Sequence, residues 1–143
     1  GASIWLDEDL DYIKENCENQ KNNKYAILKS DNPIKRTIDC IQYCEKHNIE
    51  YELISDRDNK KFLEKLSKYK GLFFKTGHLE TCGRLVVEAK MLNCDLIIQK
   101  KLIGAAYEPW FSLTGNELND RIRKISKDSI NVFIGAFKSD NLY

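Results

Sequence analysis

The chain has 143 residues, 42 % of them apolar and 31 % charged, with a formal charge of +1. That length and balance fit one soluble globular domain, able to bury about 70 % of the surface its unfolded chain exposes. A near-neutral charge excludes a general attraction to nucleic acid or anionic membrane, so any phosphate binding has to be local. No apolar run reaches the roughly 20 residues of a membrane span, and the N-terminus lacks the basic-then-apolar order of a signal peptide. The opening Gly1-Ala2-Ser3, without an initiator Met, reads as a processed or truncated chain. Five cysteines (Cys17, Cys40, Cys44, Cys82, Cys94) contain no Cys-x-x-Cys, and His47 and His78 lie far apart. The spacings of zinc sites are missing, so buried thiols in a reducing cytoplasm are expected, with neither metal nor cofactor.

In chain order, Trp5 to Asn19 predicts a helix, with acids at Asp7 to Asp9 for its dipole and Leu6, Leu10, Ile13 and Cys17 on one stripe. A polar linker, Gln20 to Lys24, leads to the apolar run Tyr25 to Leu28, a buried strand. Ser30 to Pro33 breaks it and starts a helix, with Asn32 as a cap and Pro33 in the first turn. Tyr51 to Ile54 predicts the second strand. Ser55 to Asp58 then supplies turn and cap residues before a helix marked by Phe62, Leu63, Leu66 and Tyr69. Gly71 to Phe74 is the third strand and Cys82 to Leu92 the next helix. Asn93 occupies its left-handed stop, before a fourth strand at Leu96 to Ile98. Thr114 to Ile125 and Ile130 to Phe137 predict two terminal helices.

The chain thus divides into an N-terminal helix and linker (1–23), an alternating core (24–112) and C-terminal helices (113–143). Short apolar strands alternating with helices predict a doubly wound, Rossmann-like α/β domain, a parallel sheet covered on both faces. In such sheets ligands sit beyond the carboxyl ends of the strands. Lys29 to Lys35, Asp56 to Asp58, Thr76 to Arg84 and Lys100 to Glu108 fall in those places.

Glu80 and Glu88 bracket the first turns of the helix after strand three, with Gly83 between them. Paired carboxylates around a bare helix tip suit hydroxyls at both ends of a ligand and phosphate in its middle, as in a nucleotide sugar. Gly83 lets a diphosphate approach the backbone, and the N–H groups from Cys82 to Arg84 can donate to it. Position alone also fits Glu80 as an acid serving the helix dipole, Glu88 as a solvated surface acid and Arg84 as an exposed helix arginine. Lys29 and Lys35, six apart across the turn after strand one, can neutralise charge building on a leaving phosphate without a metal. They also fit two lysines that face water. Asp56 and Asp58 read as helix caps before they read as a metal pair. His78 reads as a loop residue within reach of a sugar hydroxyl. Trp110-Phe111 reads as core.

From Tyr25 to about Trp110 the chain resembles the C-terminal, donor-binding domain of retaining GT-B glycosyltransferases (glycosyl transferases group 1, GT4-like). The resemblance rests on a Glu-x7-Glu run with Gly in third place and Ala after the second Glu: Glu80, Gly83, Glu88 and Ala89. It also rests on the basic residue ending the first strand and a lysine six residues on, Lys29 and Lys35. The resemblance implies a Rossmann-like half of a GT-B architecture binding a UDP- or GDP-type sugar. In it Lys29 and Lys35 hold the diphosphate, with Lys35 and Glu80 catalytic. Glu80 grips sugar hydroxyls, the backbone at Cys82, Gly83 and Arg84 completes the contacts, and Glu88 grips the ribose. The departures are Lys29 for the usual arginine, Cys82 for an aromatic, Arg84 for an apolar residue, Asn93 for glycine and Asp95 for proline. The N-terminal acceptor domain is absent, so this chain needs that domain or a partner chain to turn over. A catalytically inactive nucleotide-sugar-binding or interaction module is the alternative. An unrelated flavodoxin-like or receiver domain is a third.

Overall fold

A computed structural model describes residues 4–29, 34–76 and 83–140, without the side chains at 34, 35, 139 and 140. The elements run α1 (Asp7–Asn16), β1 (Tyr25–Leu28), α2 (Ile34–Lys46), β2 (Tyr51–Ile54), α3 (Asn59–Leu66), β3 (Gly71–Phe74), α4 (Arg84–Met91) and β4 (Asp95–Ile98). Three 3₁₀ turns (Lys100–Leu102, Gly104–Tyr107, Pro109–Ser112) then lead into α5 (Gly115–Asp140).

The four strands form one sheet in the order β2-β1-β3-β4, and every pairing is parallel. Each strand is only four residues long, fenced on both sides mainly by polar or turn-forming residues. A right-handed crossover puts a connecting helix on one face when the chain steps one way and on the other when it reverses. The step from β1 to β2 therefore sends α2 to one face, and the return through β3 to β4 sends α3 and α4 to the opposite face. Alternation along the strands follows suit. Ile27 and Phe73 pack with Cys40 and Cys44 of α2. Ala26 and Leu72 point the other way, into a larger core with Phe62, Leu66, Val86 and Met91. This is the α/β architecture that the alternating pattern predicts.

Helices α2 and α4 both end on an asparagine in the left-handed region, Asn48 at φ 56° and Asn93 at φ 61°. The following N–H groups close the last turns, from Ile49 to the Cys44 carbonyl and from Cys94 to the Ala89 carbonyl, each at 2.9 Å. Asp58 caps α3 by accepting from the N–H groups of Lys60 and Lys61. That is the capping role its position predicts.

The C-terminal region differs from expectation. Instead of two helices, α5 is a single helix of 26 residues, about 39 Å long at 1.5 Å per residue. The polar stretch from Ser126 to Ser129 reads as a break, yet Ser126 faces the core at 2 % exposure. Its hydroxyl accepts the Trp5 backbone N–H at 3.1 Å. Asn119, wholly buried, likewise donates to the Leu10 carbonyl at 2.9 Å. Helix polarity here matches backbone groups arriving from the other end of the chain. Around these bonds Leu10, Ile13, Leu118 and Ile122 are buried, each side chain contributing about 1.5–3 kcal/mol. Helices α1 and α5 thus share their core with the sheet. Farther along, α5 leaves the body and exposes Ile130, Val132, Phe133, Ile134 and Phe137. No helix among the described residues is long and apolar enough to cross a membrane.

Candidate functional site

The strand order reverses between β1 and β3, where the chain leaves in opposite directions and the connecting helices diverge. Such a switch point opens a crevice at the carboxyl ends of the two strands. One pocket of about 100 Å³ lies there, with Leu28 and Phe74 as strand ends and Arg36, Thr37, Lys75 and Thr76 as its polar rim. A second, of about 300 Å³, shares Phe73, Phe74 and Lys75 and runs toward Ile97 and Gln99. Between them Lys75 Nζ meets the Asp39 carboxylate at 3.1 Å. Thr37 of α2 donates to the Leu28 carbonyl at 3.4 Å, fixing that helix to the end of β1.

Lys29 follows β1 directly; its N–H donates to the Ile54 carbonyl at 2.9 Å and its side chain is exposed. Lys35 is the second residue of α2, the helix that also carries Arg36 into the crevice. Its side chain lies outside the described residues, as do His78, Glu80 and Cys82. Gly83 is the N-cap of α4 with φ 70°, a left-handed conformation that side chains adopt at a cost. A Cβ there would also stand 2.8 Å from Ile103 Cγ2. The glycine therefore serves the packing of α4 against the turn after β4, as well as keeping the helix tip bare. Arg84 opens α4. Its guanidinium lies over the Trp5 ring, 4.5 Å from the centroid, and donates to the Ile4 carbonyl at 3.0 Å.

Glu88 is 4 % exposed. Its Oε2 stands 4.0 Å from Arg84 Nε. Neither that oxygen nor the Trp5 indole Nε1 has a hydrogen-bond partner of ordinary geometry among the described residues. Burial pushes the Glu88 carboxyl up to about 7, with Asp9 adding a little, while Arg84 and then the Trp5 indole hold it down less strongly. The carboxyl is therefore half-protonated near neutrality. Tryptophan from the N-terminal segment covers it. Neither switch-point pocket includes it among the described residues.

Cys40 sits at the inner end of the crevice, and burial pushes its thiol up to about 11, against a smaller downward pull from Lys75. Nucleophilic catalysis needs the thiolate, so Cys40 is a packing residue. Asp56 accepts from the Asp58 N–H and pairs with Lys65 at 3.2 Å, continuing the cap. Among the described residues no cluster of three metal-ligating side chains occurs.

No family model, curated protein or solved structure matches this chain. The site therefore rests on its own chemistry. Sequence reasoning places Lys29 and Gly83 at strand and helix ends where the structure has them. It missed Arg36, Lys75 and the Asp39 pair. Lys75 carried a readable signal, being the first residue past an apolar strand. Arg36 and Asp39 needed the facing of α2, which their spacing from Ile34 alone did not set against the crevice.

Proposed function

We propose that the chain is the donor-binding half of a retaining glycosyltransferase, taking a nucleotide-diphosphate sugar of UDP or GDP type. The observation that carries this reading is the pair Arg36 and Lys75 on the rim of the switch-point pocket, with Lys29 exposed just past the end of β1. A diphosphate there would meet Arg36 of α2, and Lys75 on exchanging its Asp39 partner for phosphate oxygens. Its leaving group is neutralised as the sugar–oxygen bond breaks, which is where stabilisation accelerates transfer. Lys35 would complete the grip, Glu80 would hold sugar hydroxyls and support positive charge at the anomeric carbon, and Glu88 would take the ribose. The exposed apolar end of α5 supports an incomplete architecture, since a further domain or partner chain would cover such a surface.

The burial of Glu88 under Trp5 favours a second reading, a nucleotide-sugar-binding or interaction module without turnover. Calorimetric titration with UDP, GDP and their sugars separates the two from an unrelated α/β domain. The donor reading expects saturable diphosphate binding that Lys35→Ala weakens by roughly tenfold or more, with little effect on the nucleoside alone. Equal losses for diphosphate and nucleoside would remove the phosphate role. The chain alone is expected to transfer little sugar, and robust turnover would contradict the half-enzyme view.

A further inference from the structure

A separate cleft of about 590 Å³ runs beside the outer edge of β4, between that strand and the 3₁₀ turns. It shares only Ile98 with the two switch-point pockets. Leu96, Ile98 and Phe111 give it apolar walls, and Ser112 and Thr114 bring hydroxyls. Two lysines enter it, Lys90 from α4 and Lys100 from the turn after β4. Lys90 Nζ lies over the Phe111 ring, 4.3 Å from its centroid. Asp95 and Glu108 also line the cleft, yet neither forms an ion pair with either lysine.

Two ammonium groups facing one cleft, Lys90 half-buried and Lys100 exposed, repel each other, and an ion-paired carboxylate would ordinarily answer them. Here burial, and then Lys100, push Lys90 below its ordinary value, with no acid pulling it back. The strand adds donors. The Asp95 N–H is spent on the Lys70 carbonyl, so alternation turns those of Leu96 and Ile98 outward from the sheet edge. Apolar walls, cations and edge N–H groups make a receptor of definite chemistry. We propose that this cleft binds a small amphipathic anion, a carboxylate or phosphate carried on an apolar body. Lys90 and Lys100 grip the head, and Phe111 with Leu96 and Ile98 receives the body. The proposal is independent of the donor reading, which concerns the other crevice.

Phenyl phosphate is the probe, titrated by calorimetry and by amide NMR, with inorganic phosphate as the head alone. Saturable binding is expected, shifting the amides of Leu96, Ile98 and Phe111, and tighter for phenyl phosphate than for inorganic phosphate. Lys90→Met and Lys100→Met should each weaken it about tenfold, the worth of one charge-assisted hydrogen bond. Phe111→Leu should weaken phenyl phosphate and spare inorganic phosphate. Lys100 is exposed, so its variant leaves the core intact and keeps the test valid if Lys90→Met folds poorly. Binding should also raise the Lys90 pKa, read from its side-chain carbon shifts. Unchanged affinity in the Lys100 variant, shifts confined to Lys29 and α2, or no saturation at millimolar probe would each overturn the proposal.

Discussion

Replacing Glu88 by glutamine tests a buried carboxyl group whose proton affinity the fold has changed. The carboxyl is 4 % exposed and is raised from an ordinary 4.5 to about 7. That difference corresponds to about 3 kcal/mol between its neutral and charged forms in the fold. The sign follows from proton linkage. The folded state holds this proton more tightly than the unfolded chain does. The stabilisation is therefore complete below about pH 4.5 and lost as pH rises through about 7. Above that, the fold retains a buried carboxylate with Arg84, at 4.0 Å, as the cation beside it among the described residues. Glutamine has nearly the same shape and never ionises. Glu88→Gln should therefore match the parent at about pH 4 and exceed it by about 3 kcal/mol at about pH 8. Urea unfolding of both proteins across this range, compared pairwise, cancels the other titrating groups. A difference that stays flat with pH, or a glutamine variant less stable at alkaline pH, would refute the reasoning. Ligation adds a further arm: if a ribose reaches Glu88, the same variant loses nucleotide affinity, whereas a purely packed carboxyl leaves affinity unchanged.

Ser126→Ala should cost about 1–3 kcal/mol, because it strands the buried Trp5 N–H; Lys127→Ala on the exposed side should cost almost nothing by the same denaturation assay. Gly83→Ala should destabilise by about 1–3 kcal/mol, through left-handed strain and contact with Ile103, and an unchanged unfolding midpoint would mean that the α4 start relaxes freely. Asp58→Ala should cost about 0.5–2 kcal/mol as a lost helix cap. Cys40 and Cys44, both buried with thiols raised by burial, should resist alkylation at neutral pH until the protein unfolds; rapid native labelling seen by mass spectrometry would contradict their packing role.

Local chemistry alone decided much of this molecule. The strands at Tyr25–Leu28, Tyr51–Ile54 and Gly71–Phe74 coincide with their apolar runs, because each run is short and fenced by turn-forming or polar residues. Asn93 declared a helix stop through its tolerance of positive φ, and Asp58 declared a cap through its short acceptor side chain. Alternation of strand and helix then left a parallel sheet with a crevice at the carboxyl ends of its central strands. Only tertiary structure could decide the rest, because it depends on groups far apart in the chain. Ser126 looks like a helix break until the Trp5 N–H, 121 residues away, arrives to satisfy it. Glu88 looks like a surface acid until Trp5 covers it and changes its proton affinity. A side chain's polarity is written in the sequence, but whether it meets water, a partner or an apolar wall is fixed by what the fold brings against it.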